Sequence, residues 1–156
     1  MSLALFAPAL IALAVVQPSD FEALVAIRID AMRESLERVG RFDPTRARER
    51  LLAGFSVEHT RHIIVANERV GFVVLKPLED VLLLDHLYVK TNSQSQGIGT
   101  AVLSKVFAEA NALSLPVRVG ALRESASNRF YVRHGFQLVE HDEFDNYFVR
   151  MCESTL

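Results

Sequence analysis

The sequence predicts one α/β domain built on a mixed sheet, and three observations carry that reading. Its 156 residues match the usual size of a single domain. Half of them are apolar and 23% charged, so the chain can build a core. Strand-like and helix-like periodicities alternate along its whole length, with no linker, internal repeat or low-complexity tract. A chain this long buries roughly 70% of its unfolded surface, enough to fold without disulfides or a structural metal.

The elements follow in order. Leu3 to Val16 carries no charge. It is shorter than the ~20 apolar residues that cross a bilayer, Pro8 interrupts it, and no Lys or Arg precedes it as in a signal peptide. It reads as an edge strand from about Ile11 to Val16. Before that strand comes an apolar extension, residues 1–10, that packs on the domain or on a second copy in a homodimer. The domain itself then spans 11–156. Ser19-Asp20-Phe21-Glu22 has the form of a capping box, and Phe21, Leu24, Ile27, Ala31 and Leu36 recur at helical spacing until Gly40. Asp43-Pro44 starts a second, short helix as N-cap and N1, ending at Gly54. His62–Ala66 and Val70–Lys76 read as a hairpin turning on Asn67-Glu68-Arg69, and Val81–Val89 as a long strand. A helix begins near Thr100 with Val102, Leu103, Val106, Phe107 and Ala110 on one face. Then come strand Val117–Ala121, a short helix over Ser127–His134, and a closing hairpin of Phe136–Glu140 and Asn146–Cys152. That makes seven strands and four helices.

Composition excludes several functions. A net charge of −2 speaks against a nucleic-acid partner. Nothing in the sequence calls for a membrane partner. Cys152 is the single cysteine, so there is no intrachain disulfide and no cysteine-based zinc site. His59 and His62 lack a suitably placed Glu, so no metal is expected. A reducing cytoplasm is the simplest compartment.

The most informative stretch is Leu87-Tyr88-Val89, then Gln94-Ser95-Gln96-Gly97-Ile98-Gly99-Thr100. A strand leads through a two-glycine loop into a helix N-terminus. Unpaired N–H groups and the positive dipole end there suit phosphate groups, and glycine lets a ligand approach the backbone. No lysine follows Gly99, so this is not a P-loop, and Val102 stands where a dinucleotide fingerprint needs Gly or Ala. Alone, such a loop is more often just a tight turn.

A second constellation, Phe130-Tyr131-x-x-x-Gly135-Phe136, lies beyond the next strand. With both motifs the chain resembles the GNAT superfamily of acetyl-CoA-dependent N-acetyltransferases. The family's Gln/Arg-x-x-Gly-x-Gly/Ala loop is matched by Gln94, Gly97 and Gly99, and its Phe-Tyr-x-x-x-Gly-Phe close by Phe130, Tyr131, Gly135 and Phe136. The element order agrees from about Ile11 to Cys152. The resemblance implies a mostly antiparallel sheet whose two central parallel strands splay apart, with the pantetheine arm in the gap. It implies that backbone groups of Leu87 and Val89 bond that arm and the acetyl carbonyl. The loop Ser95, Gln96, Gly97, Ile98, Gly99 and Thr100 would then hold the pyrophosphate beside Gln94, and Tyr131 would protonate the leaving thiolate. Members often carry an Asn six or seven residues before the Tyr, where this chain has Ser125 and Glu124. Asn128 either contacts the cofactor from a shifted helix start or caps the helix. Valine at Gly97 or Gly99 is expected to weaken cofactor binding and leave the fold largely intact.

Acetyl transfer to an amine needs a neutral amine, a polarised carbonyl and a proton for the thiolate. Cys152, without a His partner, is not a nucleophile. Tyr131, read without the motif, is a core aromatic with a satisfied hydroxyl. Asp85 is in period-2 phase with Leu87 and Val89, so it is the candidate to take the amine proton; the alternative is an ion pair with an arginine. His86 points the other way unless a bulge reverses the phase. Arg28, Met32, Leu36, Phe42 and Phe144 are expected around the acceptor, and Glu34, Glu37 and Asp43 could attract a cationic amine. Three functions fit: an N-acetyltransferase acting on a small-molecule or peptide amine, a non-catalytic acyl-CoA-binding domain, and a phosphate-binding module.

Overall fold

A computed structural model of the chain describes residues 10–152, so the expected extension lies outside the described residues but for Leu10. Seven strands form one sheet: β1 (Ala12–Val15), β2 (Thr60–Val65), β3 (Glu68–Pro77), β4 (Leu82–Val89), β5 (Val117–Leu122), β6 (Gln137–His141) and β7 (Asp145–Arg150). Their spatial order is β1-β2-β3-β4-β5-β7-β6. β1 forms the expected edge, and every pairing is antiparallel except β4 with β5. Four helices flank the sheet: α1 (Phe21–Arg38), α2 (Pro44–Ala53), α3 (Ile98–Leu113) and α4 (Ser127–Arg133). The layers follow from the apolar faces. Leu24, Val25 and Ile27 of α1 pack with Leu51 of α2 onto Phe72 and Val74. On the other face Val102, Leu103 and Val106 of α3, with Tyr131 of α4, cover Leu82, Leu84, Val117 and Val119.

Local chemistry sets most boundaries where expected. Asp43 caps α2, its Oδ1 accepting from the N–H groups of Thr45 (3.0 Å) and Arg46 (3.2 Å). Two turns differ from the sequence reading. The capping interaction before α1 sits two residues earlier: Asp20 Oδ2 accepts the Gln17 N–H at 2.8 Å, because Pro18 opens a 3₁₀ turn ahead of the helix. Glu22 is left to pair with Arg48 at 2.6 Å. Asp20 also bonds His62 and Arg69, each at 3.1 Å. The Gln17 N–H, then His62 and Arg69, hold its pKa down at about 2. The β2–β3 hairpin turns on Ala66-Asn67 rather than on residues 67–69. Both have positive φ, 50° and 67°, the pairing that matches strand twist in a two-residue loop.

The feature that positions the site is a bulge in β4. Val74 pairs with His86 but Leu75 pairs with Leu84, so Asp85 is an extra residue. Before it, Leu82 and Leu84 turn their backbone groups to β5; the Leu82 N–H donates to the Pro116 carbonyl at 2.8 Å. After it, the bond from Lys90 N–H to the Val70 carbonyl (2.8 Å) sets the parity. His86 and Tyr88 face β3, while Leu87 and Val89 turn their N–H and C=O groups away from β3. An unbulged strand would turn His86 and Tyr88 that way instead.

Candidate active site

Parallel pairing between β4 and β5 covers only Leu82–Val117, Leu83–Arg118 and Leu84–Val119. Beyond Leu84 the strands part, and the backbone groups of Leu87 and Val89 look into the opening with no ladder partner there. A cleft of about 820 Å³ occupies it, walled by α1 and α2 on one side and reaching Tyr131 of α4 on the other.

The glycine loop ends beside this opening. Ser95 (φ 64°) and Gly97 (φ 79°) are left-handed, and Gly97 is the residue before α3. The first bond of α3 runs from Ala101 N–H to the Gly97 carbonyl at 3.0 Å, so Ile98, Gly99 and Thr100 have no acceptor within the helix. Gln96 is exposed. Gln94 lines the cleft, and its Nε2 donates to the Val89 carbonyl at 2.9 Å. That takes one of the four opening-directed groups; the Val89 N–H and both Leu87 groups are left. A contact the sequence reading missed anchors this loop: Asp30 on α1 accepts the Thr91 N–H at 3.0 Å.

The two glycines do different work. No atom lies within 4 Å of a Cβ at Gly97, so its requirement is the positive φ. A Cβ at Gly99 would stand 2.9 Å from the Phe130 ring, so its requirement is the packing of α3 on α4. Valine at Gly99 therefore disturbs that contact, contrary to the expectation of an intact fold. His134 joins the same helices. Its Nδ1–H donates to the Phe130 carbonyl at 2.8 Å, which leaves Nε2 to accept the Thr100 hydroxyl at 3.0 Å.

The Phe-Tyr-x-x-x-Gly-Phe segment is a helix stop that fixes Tyr131. Gly135 has φ 93°; its N–H reaches the Val132 carbonyl (3.1 Å), and the Phe136 N–H reaches that of Tyr131 (3.1 Å). The chain folds back so that the Phe136 ring lies 5.2 Å from the Tyr131 ring, with Phe130 at 5.3 Å and Phe148 at 6.2 Å. Tyr131 is buried yet lines the cleft, and burial drives its pKa well above the ordinary phenol value, with nearby Tyr88 adding to it. It keeps its proton at neutral pH and can donate it.

The strand phase expected for Asp85 is not observed, although its side chain does line the cleft. The bulge breaks its phase with Leu87 and Val89: those two pack on the α3 core, whereas Asp85 stands with His86 on the α1–α2 side. Its partner is a lysine, Lys76 Nζ at 3.4 Å, and that amine also donates to the Gly54 carbonyl at 2.7 Å. The Asn128 side chain is occupied within the chain. Its amide donates to the carbonyls of Leu122 (2.8 Å) and Ser125 (2.8 Å), and its Oδ1 accepts from Asn146 (2.9 Å). The side chain ties the β5–α4 turn to β7. Ser125, in the place of the family's Asn, does line the cleft.

Of the residues expected around the acceptor, Arg28, Met32, Leu36, Asp43 and Phe144 line the cleft. Phe42 is instead stacked under Arg33 at 4.3 Å, and Glu34 and Glu37 pair with Arg38 and Arg33 on the surface of α1. Arg41 lies 3.5 Å over the Phe144 ring and joins the helix connection to the last hairpin.

His86, also on the cleft, has its pKa pushed down to about 4, chiefly by burial. Asp85 opposes that shift, and Arg28, Arg50 and Lys76 add to it. An unfolded histidine near 6.5 takes up a proton that the folded one refuses, so stability is lost as pH falls from 6.5 to about 4. Denaturant midpoints measured across that window should fall in the wild type and fall less in His86→Gln. Equal slopes in both proteins would remove His86 from the acid sensitivity.

The fold has counterparts among solved structures. The PaiA N-acetyltransferase from Thermoplasma acidophilum, solved in complex with coenzyme A, superposes with a TM-score of 0.74 at 16% identity, over 91% of this chain and 99% of that one. An acetyltransferase from Thermus thermophilus gives 0.70 at 18%, over 90% and 96%. The ribosomal-protein-S18-alanine N-acetyltransferase from Escherichia coli gives 0.70 at 13%, over 94% and 96%. No curated protein matches the sequence. The acetyltransferase (GNAT) domain family matches residues 59–138, just over half of the chain. That stretch holds the parted β4, the glycine loop and Tyr131, a backbone cradle and helix N-terminus that fit the arm and pyrophosphate of a coenzyme A thioester. The chain belongs to the GNAT family of acetyltransferases, with acetyl-CoA as its cosubstrate.

Proposed function

We propose that the protein acetylates a primary amine of a small molecule or peptide by direct attack, with both substrates bound together. The parting of β4 from β5 after Leu84 carries this reading. It opens one cleft to backbone groups suited to the thioester, to Tyr131, and to a separate wall of α1 and α2 for the acceptor. The thioester supplies an activated carbonyl: a C–N bond forms, the C–S bond breaks, the amine gives up one proton and the thiolate takes one. The N–H groups of Ile98, Gly99 and Thr100 bind the pyrophosphate, and the free backbone groups of Leu87 and Val89 orient the arm and the acetyl oxygen. Tyr131 Oη holds the proton for the sulfur. With Asp85 held by Lys76, the amine enters as the free base or gives its proton to solvent. Orientation of both partners in one cleft can contribute ~7–11 kcal/mol. One cysteine and no need for disulfides suit a cytoplasmic site of action.

Initial rates with both substrates varied should give intersecting double-reciprocal lines. Parallel lines would overturn direct attack. Acetyl-CoA binding with no thiol released by any amine would return the non-catalytic acyl-CoA-binding reading.

The loop assignment has its own test at Gly97, where a side chain meets no neighbour. Gly97→Ala forces an L-residue into the left-handed region at about 1 kcal/mol. It should weaken acetyl-CoA binding by about tenfold as the N–H groups shift. Calorimetric titration beside a melting curve separates binding from folding, and an unchanged Kd would refute the pyrophosphate site.

A further inference from the structure

We infer that the acetyl acceptor is an amine that also carries a carboxylate, held on the α1–α2 wall by Arg28 and Arg50; this rests on the acetyl-transfer reading above. Arg28 is the observation that points to it. Its side chain lines the cleft but is only 7% exposed, and it forms no ion pair among the described residues. A guanidinium taken out of water without an anion is costly. Its compensation within the chain is partial: Nη1 donates to the Ala47 carbonyl at 2.9 Å, and the Tyr88 ring lies 5.7 Å from the guanidinium carbon. Nε is buried with no acceptor. The edge left over, Nε with Nη2, offers two parallel N–H donors, the fork that matches the two oxygens of a carboxylate.

The surrounding charge agrees. Arg46 and Arg50 stand one turn apart on α2, both line the cleft, and neither has an ion-pair partner among the described residues. The acids on the cleft are largely committed. Asp43 caps α2, Asp85 pairs with Lys76, and Asp142 accepts from the Phe144 and Asp145 N–H groups and the Tyr147 hydroxyl. Asp145 and Glu143 remain, on the last hairpin, and Asp145 feels the charges of Arg41 and Arg50 without an ion-pair contact. An amine held by its carboxylate on the arginine wall would extend its nitrogen toward the opening beside Leu87, Val89 and Tyr131. On that wall Arg28, Arg46, Arg50 and the Lys76 paired with Asp85 outnumber Asp43 and Asp85, and the excess positive charge disfavours an acceptor whose only charge is an ammonium group.

The test compares α-, β- and ω-amino acids with their matched amides. Thiol release is measured at saturating acetyl-CoA, and rates are referred to the concentration of neutral amine. In the wild type the acids should exceed their amides in kcat/KM by about tenfold or more, as expected for a charge-assisted pair. Arg28→Met should bring that ratio near one, through KM rather than kcat. Arg50→Gln, on an exposed position of α2, should reduce it several-fold and keeps the test open if Arg28→Met does not fold. Amides that match or exceed the acids in the wild type would overturn the carboxylate site while leaving acetyl transfer intact. So would variants that lose stability but keep the acid-to-amide ratio, the signature of a purely structural Arg28. Acetyl-CoA binding with no thiol release from either series would overturn acetyl transfer itself, and this inference with it.

Discussion

Replacing Tyr131 with Phe is expected to lower kcat by about 10²–10⁴-fold, the usual worth of a positioned general acid, with little change in the Kd for acetyl-CoA. The substitution removes one oxygen. The ring stays clamped by Phe130, Phe136 and Phe148, and the helix stop at Gly135 that places it is backbone chemistry that phenylalanine shares. What goes is a phenol, protonated at neutral pH with its pKa raised further by burial, that lines the cleft. The loss should therefore fall on the step in which the C–S bond breaks. Single-turnover rates with preloaded acetyl-CoA isolate that step. If chemistry is rate-limiting and the variant stays within twofold of the wild type, the proton comes from another group or from water.

Where the chain's local chemistry decides a feature, the sequence already displays it. Asp43-Pro44 starts α2, because an acceptor side chain and a fixed φ are needed there. Gly135 ends α4, because a left-handed residue is needed there. The apolar face of α3 announces the layer that it covers. The site was half legible for the same reason: Gly97 and Tyr131 sit in motifs whose backbone demands are local. What escaped depends on partners distant in sequence. The Asp85 bulge exists only in the register of β3 against β4, and period-2 counting along one strand assigned that carboxylate to the wrong face. For Asn128 the sequence left a cofactor contact and a helix cap both open, because its partners, Leu122, Ser125 and Asn146, converge only once β5 and β7 pair. Gly99 read as a ligand-approach glycine, while its neighbour is the Phe130 ring of the next helix. Arg28 was expected around the acceptor and lines the cleft, but its burial without an anion could be seen only once α2 packed against α1.

Asp85→Asn should cost stability and leave the shape of the pH–rate curve unchanged. The Lys76–Asp85 pair is largely shielded, with side-chain exposures of 20% and 16%, so removing the carboxylate strands a cation away from water. Breaking a well-buried pair costs about 3–5 kcal/mol. Lys76 keeps the Gly54 carbonyl, which brings the expectation down to about 2–3 kcal/mol, or roughly 5–10 °C in Tm for a domain of this size. A carboxylate that took the amine proton would behave differently. Its loss would depress kcat/KM most at low pH, and the deficit would close as the acceptor approached its own pKa. The bulge argues for the first outcome, because it points Asp85 toward Lys76 and gives the opening to the backbone of Leu87 and Val89. Wild type and variant should then both show kcat/KM rising with pH toward the acceptor's pKa, in parallel, with the variant melting lower. A deficit that grows as pH falls, in a variant that melts like the wild type, would restore Asp85 as the base and show that the lysine tunes it.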